Sequence, residues 1–198
     1  EIIVTRLDHD GNIAPWLQLS NETGAKIRWI DFDPRDCTLS LKDFKKTITD
    51  KTKLVAVGYA SNSVGTINPI KEITSIAHSV GALVFVDAVQ YAPHAPIDVK
   101  DIDADFMVCS PYKFFGPHQG VLWGKYELLD KLPPHKVRPA ENNPPHKFET
   151  GTQSHEGQAG TLGALEHIEW IGKQFGSQYA SQFSKLSDRS LHMHCGMA

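Results

Sequence analysis

The sequence has no long hydrophobic run, no excess of one charge and few cysteines. No apolar stretch approaches the ~20 residues that cross a bilayer, so a membrane-spanning protein is not expected. Lys and Arg number 20 against 23 Asp and Glu, without a basic block, which argues against a nucleic-acid partner. The three cysteines, Cys37, Cys109 and Cys195, fit neither a disulfide framework nor a zinc motif, and they favour a reducing, cytoplasmic compartment.

Several motifs of common enzyme classes are missing as well. We find no G-x-G-x-x-G after a strand, no G-x-x-x-x-G-K-[ST] and no G-x-S-x-G, which argues against dinucleotide, P-loop and serine-hydrolase functions. The run His192-Met-His194-Cys195 resembles a metal cluster but lacks a closed set of ligands, so no metal site is predicted. The first residues carry neither an initiator Met nor a signal peptide, and both ends read as interrupted. We therefore expect a fragment that forms one domain over residues 1–198.

What is present is a regular alternation of strand and helix patterns. With 198 residues and 40% hydrophobic content, the chain can bury a sizeable core. The alternation predicts an α/β fold, a mainly parallel sheet with helices on both faces. Strands are predicted at residues 2–5, 26–30, 53–59, 82–86 and 105–109, and helices from Asn12 and at residues 40–48, 69–80 and 156–171. Residues 133–152, which are rich in Pro, His and Lys, are predicted to form a long exposed loop.

Polar residues follow four of the predicted strands at the point where each strand ends. Ligands of parallel α/β sheets bind beyond the carboxyl ends of the strands, so these residues are candidates for a site. They are His9 after the first strand, Asn62 in the loop after residues 53–59, Asp87 and Gln90 after residues 82–86, and Ser110 to Lys113 after residues 105–109. One edge of the sheet is thus predicted to carry an imidazole, an amide, an acid and an amine.

Together these residues suggest a cofactor chemistry that none of them would suggest alone. A lysine amine forms an imine with an aldehyde cofactor, and a carboxylate beside a pyridine nitrogen keeps that nitrogen protonated. A flat imidazole can stack on such a ring, and an amide can bind its phenolic oxygen. Taken alone, Asp87 would be a turn cap, Lys113 a surface lysine and His9 part of a solvated turn. The ordered combination favours the cofactor site.

At these residues the sequence resembles the class V aminotransferases, in particular the cysteine desulfurase-like group of fold-type I pyridoxal-phosphate (PLP) enzymes. The segments that carry the resemblance include Leu-Asp-His9-Asp-Gly-Asn, Ser61-Asn62-Ser-Val-Gly-Thr, Val-Asp87-Ala-Val-Gln90, Ser110-Pro-Tyr-Lys113 and Glu-Thr-Gly151-Thr152. The resemblance implies Lys113 as the Schiff-base lysine and proton shuttle, Asp87 as the partner of the pyridinium nitrogen, and His9 as the residue stacked on the ring. It further implies Asn62 and Gln90 near the phenolic oxygen, Ser110 at the phosphate, and Thr152 reaching the phosphate of a neighbouring subunit.

The resemblance also implies a homodimer with composite active sites and a small amino-acid substrate. Three departures from the family pattern accompany it. Tyr112 stands where desulfurases usually place a histidine, so we expect it at the phosphate as a hydroxyl donor. The family's N-terminal phosphate-loop segment and its C-terminal small domain, which carries the sulfur-accepting cysteine, are not matched by any part of the sequence. Cys37, Cys109 and Cys195 do not match that cysteine.

Several functions stay open on the sequence alone. The first is a PLP-dependent enzyme that removes sulfur from cysteine to give alanine, or a related class V aminotransferase or lyase that transaminates or epimerises its substrate. The second is a truncated domain of the same fold without turnover. The third, a nucleotide-binding α/β domain, lacks its glycine fingerprint.

Overall fold

The computed structural model describes residues 1–183 and 188–197. The chain divides into two compact units, the first comprising Glu1–Cys109 and the second beginning at Ser110. Within the described residues, no helix is both long and apolar enough to cross a membrane.

The first unit is built on a parallel β-sheet. Its strands are β1 (Ile2–Thr5), β2 (Ile27–Ile30), β5 (Leu54–Gly58), β6 (Leu83–Asp87) and β7 (Phe106–Cys109), and a small antiparallel pair is formed by β3 (Phe32–Asp33) and β4 (Thr38–Leu39). The five sheet strands lie in the order β2-β1-β5-β6-β7, and the pairs β1–β2, β1–β5, β5–β6 and β6–β7 are all parallel. The predicted α/β fold with a mainly parallel sheet is confirmed.

Four helices connect the strands of this unit. They are α1 (Ala14–Thr23), α2 (Leu41–Thr47), α3 (Ile70–Ser79) and α4 (Val99–Ile102). In α3, apolar and small residues recur at helical spacing, and Ile70, Ile73, Thr74 and Ala77 are buried on one face. Gly81 lies beyond the helix end at φ 76°, a left-handed conformation that glycine adopts without strain. Gly81 therefore ends this helix, in agreement with the helix predicted at residues 69–80.

The core of the first unit lies on both faces of its sheet. In β5, the consecutive residues Val55, Ala56 and Val57 are all fully buried, although successive side chains of a strand point to opposite faces. Ile2, Val4 and Ala56 pack with Trp16 and Trp29. A strand buried on both faces reads as a continuous apolar run, which explains why the strand prediction was accurate here.

The second unit is mainly helical. It contains β8 (Val121–Gly124), α5 (Tyr126–Lys131), α6 (His155–Phe175) and α7 (Asp188–Met197), with 3-10 turns at Pro111–Phe114 and Gly176–Phe183. Helices α6 and α7 approach closely where Gly172 and Gly196 meet, since a Cβ on Gly172 would lie 1.7 Å from the carbonyl oxygen of His192. Only glycine fits at that crossing.

Residues 133–152 contain no helix or strand, as predicted, but the loop is not exposed throughout. Lys147 is only 3% exposed, and its Nζ donates to the carbonyl oxygens of Asp130 at 2.7 Å and Leu132 at 2.9 Å. These carbonyls lie at the C-terminal end of α5, where backbone acceptors lack helical partners. The loop is therefore fastened to the helix by a buried ammonium group.

Candidate active site

The candidate residues form two groups, one in each unit. The first group lies at one edge of the parallel sheet. Strands β1, β5 and β6 are neighbours, and their carboxyl ends lead into Asp8 and His9, into Tyr59, and into Asp87. Gly58 is paired in register with Asp87, and the Tyr59 N–H donates to the Asp87 carbonyl at 2.8 Å. The structure thus brings the strand ends of the first group together, as their order in the sequence predicted.

Asp87 is held in a defined orientation at the end of β6. Its Oδ1 accepts a hydrogen bond from the Val89 N–H at 2.9 Å. The next residue, Ala88, is fully buried, and its N–H donates to the Val108 carbonyl of the neighbouring strand at 2.9 Å. The half-buried carboxylate is therefore fixed by the backbone on its own strand end, as a group that faces a bound cation needs to be.

His9 begins a short 3-10 turn and is exposed. Its Nδ1 accepts from the Gly11 N–H at 2.9 Å. This contact orients the imidazole ring and leaves Nε2 directed away from the turn backbone. The geometry presents a flat ring at the edge of the sheet, which suits stacking on an aromatic ligand.

Asp8, which the sequence prediction passed over as part of a turn, is the most constrained acid of this edge. Its carboxylate accepts from the Thr5 hydroxyl, from Asn12 Nδ2 at 3.1 Å and from the backbone N–H of Gly58. A Cβ on Gly58 would lie 2.8 Å from Asp8 Oδ1, so a side chain there would displace the carboxylate. Burial, and to a smaller extent the charge of Asp87, raises the pKa of Asp8 to about 6. The spacing of Thr5, Asp8 and Asn12 around a strand end was the signal in the sequence.

Asn62 lies in a tight turn after β5. The Ser61 N–H donates to the Thr66 carbonyl at 2.9 Å and the Gly65 N–H donates to the Ser61 carbonyl at 3.0 Å. Gly65 has φ 75°, which lets the chain reverse without strain. Asn62 is exposed on this turn, while the neighbouring Ser61 is buried. The turn holds the backbone and leaves the Asn62 amide accessible.

Gln90 lies in the loop after β6, and a pair of tyrosines holds that loop. Tyr91 stacks on Tyr59 with ring centroids 3.8 Å apart and the planes 2° from parallel. Burial and the neighbouring Tyr91 raise the pKa of Tyr59 to about 12, which keeps its phenol neutral. Gln90 Nε2 lies 3.3 Å from His94 Nε2. The stack fastens the Gln90 loop to the end of β5, a constraint that the sequence prediction missed.

The second group begins at Ser110 and includes Lys113. A 3-10 turn at Pro111–Phe114 carries the lysine, the Lys113 N–H donates to the Ser110 carbonyl at 3.1 Å, and Pro111 and Phe114 are buried. Gly116 donates to the Pro111 carbonyl at 2.8 Å, and a Cβ there would lie 2.9 Å from that oxygen. The backbone around the half-buried Lys113 is thus firmly held by its neighbours within the second unit.

Tyr112 and Thr152 are the exposed members of the second group. Tyr112 is 46% exposed and stacks on His118, with centroids 5.0 Å apart and planes 8° from parallel. Thr152 is exposed just before α6, whose first turn is capped where Ser154 Oγ accepts from the Gly157 N–H at 3.2 Å. Both hydroxyl groups are accessible to a ligand or a partner.

The described cysteines do not look like activated nucleophiles, and no metal centre accompanies them. Cys37 and Cys109 are free thiols, and burial raises the pKa of Cys109, which disfavours its thiolate. The side chain of Cys195 lies outside the described residues. Across the described part of the chain, no cluster of three or more His, Cys, Asp or Glu side chains could hold a metal ion.

Comparisons with known proteins agree on one family. The profile of the family described as Aminotransferase class-V matches residues 1–194. A probable cysteine desulfurase from Streptomyces coelicolor is 41% identical over 87% of this chain, and one from Halalkalibacterium halodurans is 40% identical over the same share. The matches cover 44% and 45% of those relatives, so the chain spans less than half the length of these two proteins.

Solved structures show the same likeness. The apo structure of a cysteine desulfurase from Thermococcus onnurineus matches with a TM-score of 0.80 and 32% identity, over 93% of this chain and 49% of that one. A cysteine desulfurase from Escherichia coli matches with a TM-score of 0.75 and 30% identity, over 93% of this chain and 51% of that one. These likenesses extend the agreement from sequence to fold.

Proposed function

Since the chain belongs to the class-V aminotransferase family, we propose that it forms the cofactor-binding part of a PLP-dependent enzyme that removes sulfur from cysteine and leaves alanine. The observation that carries the proposal is the oriented Asp87 carboxylate at a sheet edge that also presents the flat, exposed His9 ring. The family match favours this function over the nucleotide-binding alternative.

The residues present fit PLP by their chemistry. Asp87, a carboxylate held by its own backbone, suits a protonated pyridine nitrogen, and His9 offers a flat ring for stacking. We propose the amides of Asn62 and Gln90 for the phenolic oxygen, and Lys113 as the amine that attaches the cofactor. The hydroxyl groups of Ser110 and Tyr112 are proposed to bind the phosphate.

The roles of the side chains follow from these assignments. When bound, PLP supplies an electron-poor ring that withdraws charge from the α-carbon of an amino acid. Asp87 keeps the proton on the ring nitrogen, and Lys113, once released from the cofactor, takes the α-proton through Nζ and returns it. Cys37 and Cys109 are not proposed as sulfur acceptors: neither matches the family's sulfur-accepting cysteine, and burial raises the pKa of Cys109, which disfavours its thiolate.

The assembly is a separate part of the proposal. We propose that residues 1–198 form one partial PLP-binding domain, that two copies associate, and that Thr152 of one copy reaches the phosphate bound by the other. The exposure of Thr152 supports a role toward a partner. A cytoplasmic location is proposed from the free thiols of Cys37 and Cys109. Sedimentation with and without PLP, for wild type and Thr152→Ala, tests the shared site: we expect PLP to favour the dimer only in wild type.

The activity is tested by measuring the release of alanine and sulfide from cysteine in the presence of a thiol reductant. The assay is run on this chain and on a longer polypeptide that contains it. We expect equal amounts of both products, lost in Lys113→Ala and strongly reduced in Asp87→Ala. Keto-acid production would instead indicate a transaminase, and racemisation an epimerase. Binding of PLP without turnover of cysteine in either form would contradict the desulfurase proposal.

A further inference from the structure

Asp8 is a second carboxylate at the same sheet edge, and it joins three elements. Thr5 ends β1, Asn12 precedes α1, and Gly58 ends β5, and each gives the Asp8 carboxylate one hydrogen bond. Asn12 is 3% exposed, and its Oδ1 accepts from Trp16 Nε1 at 3.4 Å, which extends the network into α1. Asp8 therefore fixes the turn that carries His9.

Asp8 also lies close to a second acid, since Gly58, which donates to Asp8, is paired in register with Asp87. Two carboxylates at neighbouring strand ends repel each other when both are charged, and the partial burial of Asp8 adds to the cost of its charge. The cost is visible in the raised pKa of about 6, to which burial contributes most and the charge of Asp87 adds. A charge kept at such a cost beside Asp87 points to a cationic ligand.

The surroundings identify Asp87 as the charge that acts on Asp8. Tyr59, the residue after β5, is turned to its stack with Tyr91 and stays neutral, and Asn12, which precedes α1, is uncharged. On the turn itself, His9 and Asp10 are exposed to solvent. A positive ligand at Asp87 would relieve the repulsion between the two acids, and it would be attracted by both.

We propose that Asp8 is a positioning residue that acts through Asp87, its negative charge increasing the affinity of the site for a ligand with a protonated pyridine nitrogen. The inference rests on the proposed function. It requires that affinity depend on the charge of Asp8 and not only on its hydrogen bonds. Binding of a cationic ring lowers the carboxyl pKa, so the affinity gained through Asp8 is present above about pH 6 and lost as Asp8 is protonated below it.

The test compares the PLP dissociation constants of wild type, Asp8→Asn and Asp10→Asn from about pH 5 to about pH 8, followed by absorbance. Asn keeps the shape and most of the hydrogen bonds of Asp8, and Asp10→Asn removes the same charge from an exposed position on the other side of His9. Each unit of pKa shift corresponds to tenfold in affinity. We expect Asp8→Asn to bind about tenfold more weakly than wild type near pH 8 and nearly equally near pH 5, with Asp10→Asn close to wild type throughout.

A second ligand separates charge from structure. The 1-deaza analogue of PLP has carbon in place of the ring nitrogen and keeps the aldehyde and phosphate, so we expect Asp8→Asn and wild type to bind it equally. A loss in Asp8→Asn that is the same at every pH, or the same for both ligands, would reduce Asp8 to a structural role and overturn the inference. Absence of any adduct on Lys113 in wild type would instead remove the proposed function, and the inference with it.

Discussion

Asp8→Asn should change how the free energy of unfolding depends on pH, even without a ligand. The pKa of Asp8 is about 6 in the folded protein against an ordinary value of 3.8. Between these values the folded protein binds more protons than the unfolded chain, so the stability contributed by this group is complete below about pH 4 and is lost as pH rises through 6. The difference in pKa corresponds to about 3 kcal/mol.

The assay is urea unfolding from about pH 4 to about pH 7 for wild type, Asp8→Asn and Asp10→Asn, with the free energy of unfolding compared at each pH. Because exposed acids titrate similarly in all three proteins, the difference between wild type and Asp8→Asn isolates Asp8. We expect that difference to fall by about 2 kcal/mol across this range, most of the full change of about 3 kcal/mol, and Asp10→Asn to run parallel to wild type. If the free energies of unfolding of wild type and Asp8→Asn change in parallel with pH, the raised pKa of Asp8 and the partial burial that causes it are refuted.

Two further predictions concern the second unit. Gly172→Ala places a Cβ 1.7 Å from the His192 carbonyl and should lower the free energy of unfolding by about 1–3 kcal/mol, whereas Gly163→Ala, with nothing within 4 Å, should leave it unchanged or raise it by up to about 1 kcal/mol in thermal unfolding. Lys147→Met removes a buried ammonium group that binds two carbonyl oxygens, and should lower the free energy of unfolding by about 1.5–3 kcal/mol. Lys136→Met removes a single contact of this kind and should cost less in the same assay. Equal losses in the two variants would contradict the stabilising role of the buried Lys147 ammonium.

The elements predicted well from sequence are those whose burial leaves a periodic or continuous apolar signal. β5 and β6 are short apolar runs, and α3 shows buried residues at helical spacing with Gly81 at its end. The elements that were missed give no such signal. The β3–β4 pair has two residues in each strand, and β8 exposes Val121 and Leu122, so its apolar residues do not mark burial within the unit.

The residues of the candidate site likewise differ in how readily the sequence points to them. Asp87 and His9 could be proposed because each lies at or just beyond the end of an apolar run, and the strand order places those strand ends at one edge. The spacing of Thr5, Asp8 and Asn12 was not enough to single out Asp8, since its setting also depends on Gly58 and on the charge of Asp87, which are distant in sequence. The stack of Tyr59 on Tyr91 is of the same kind, because no local pattern pairs two tyrosines from different loops.

Lys113 is the residue that we propose to bind PLP covalently. This proposal is tested most directly by mixing the protein with PLP, reducing it with borohydride, and mapping the modified lysines by mass spectrometry, in wild type, Lys113→Ala and Lys131→Ala, the last removing an exposed lysine of α5. We predict a saturable adduct on Lys113 and an absorbance band that are lost in Lys113→Ala and kept in Lys131→Ala. Equal labelling of surface lysines in all three proteins, with no preference for Lys113, would contradict the account.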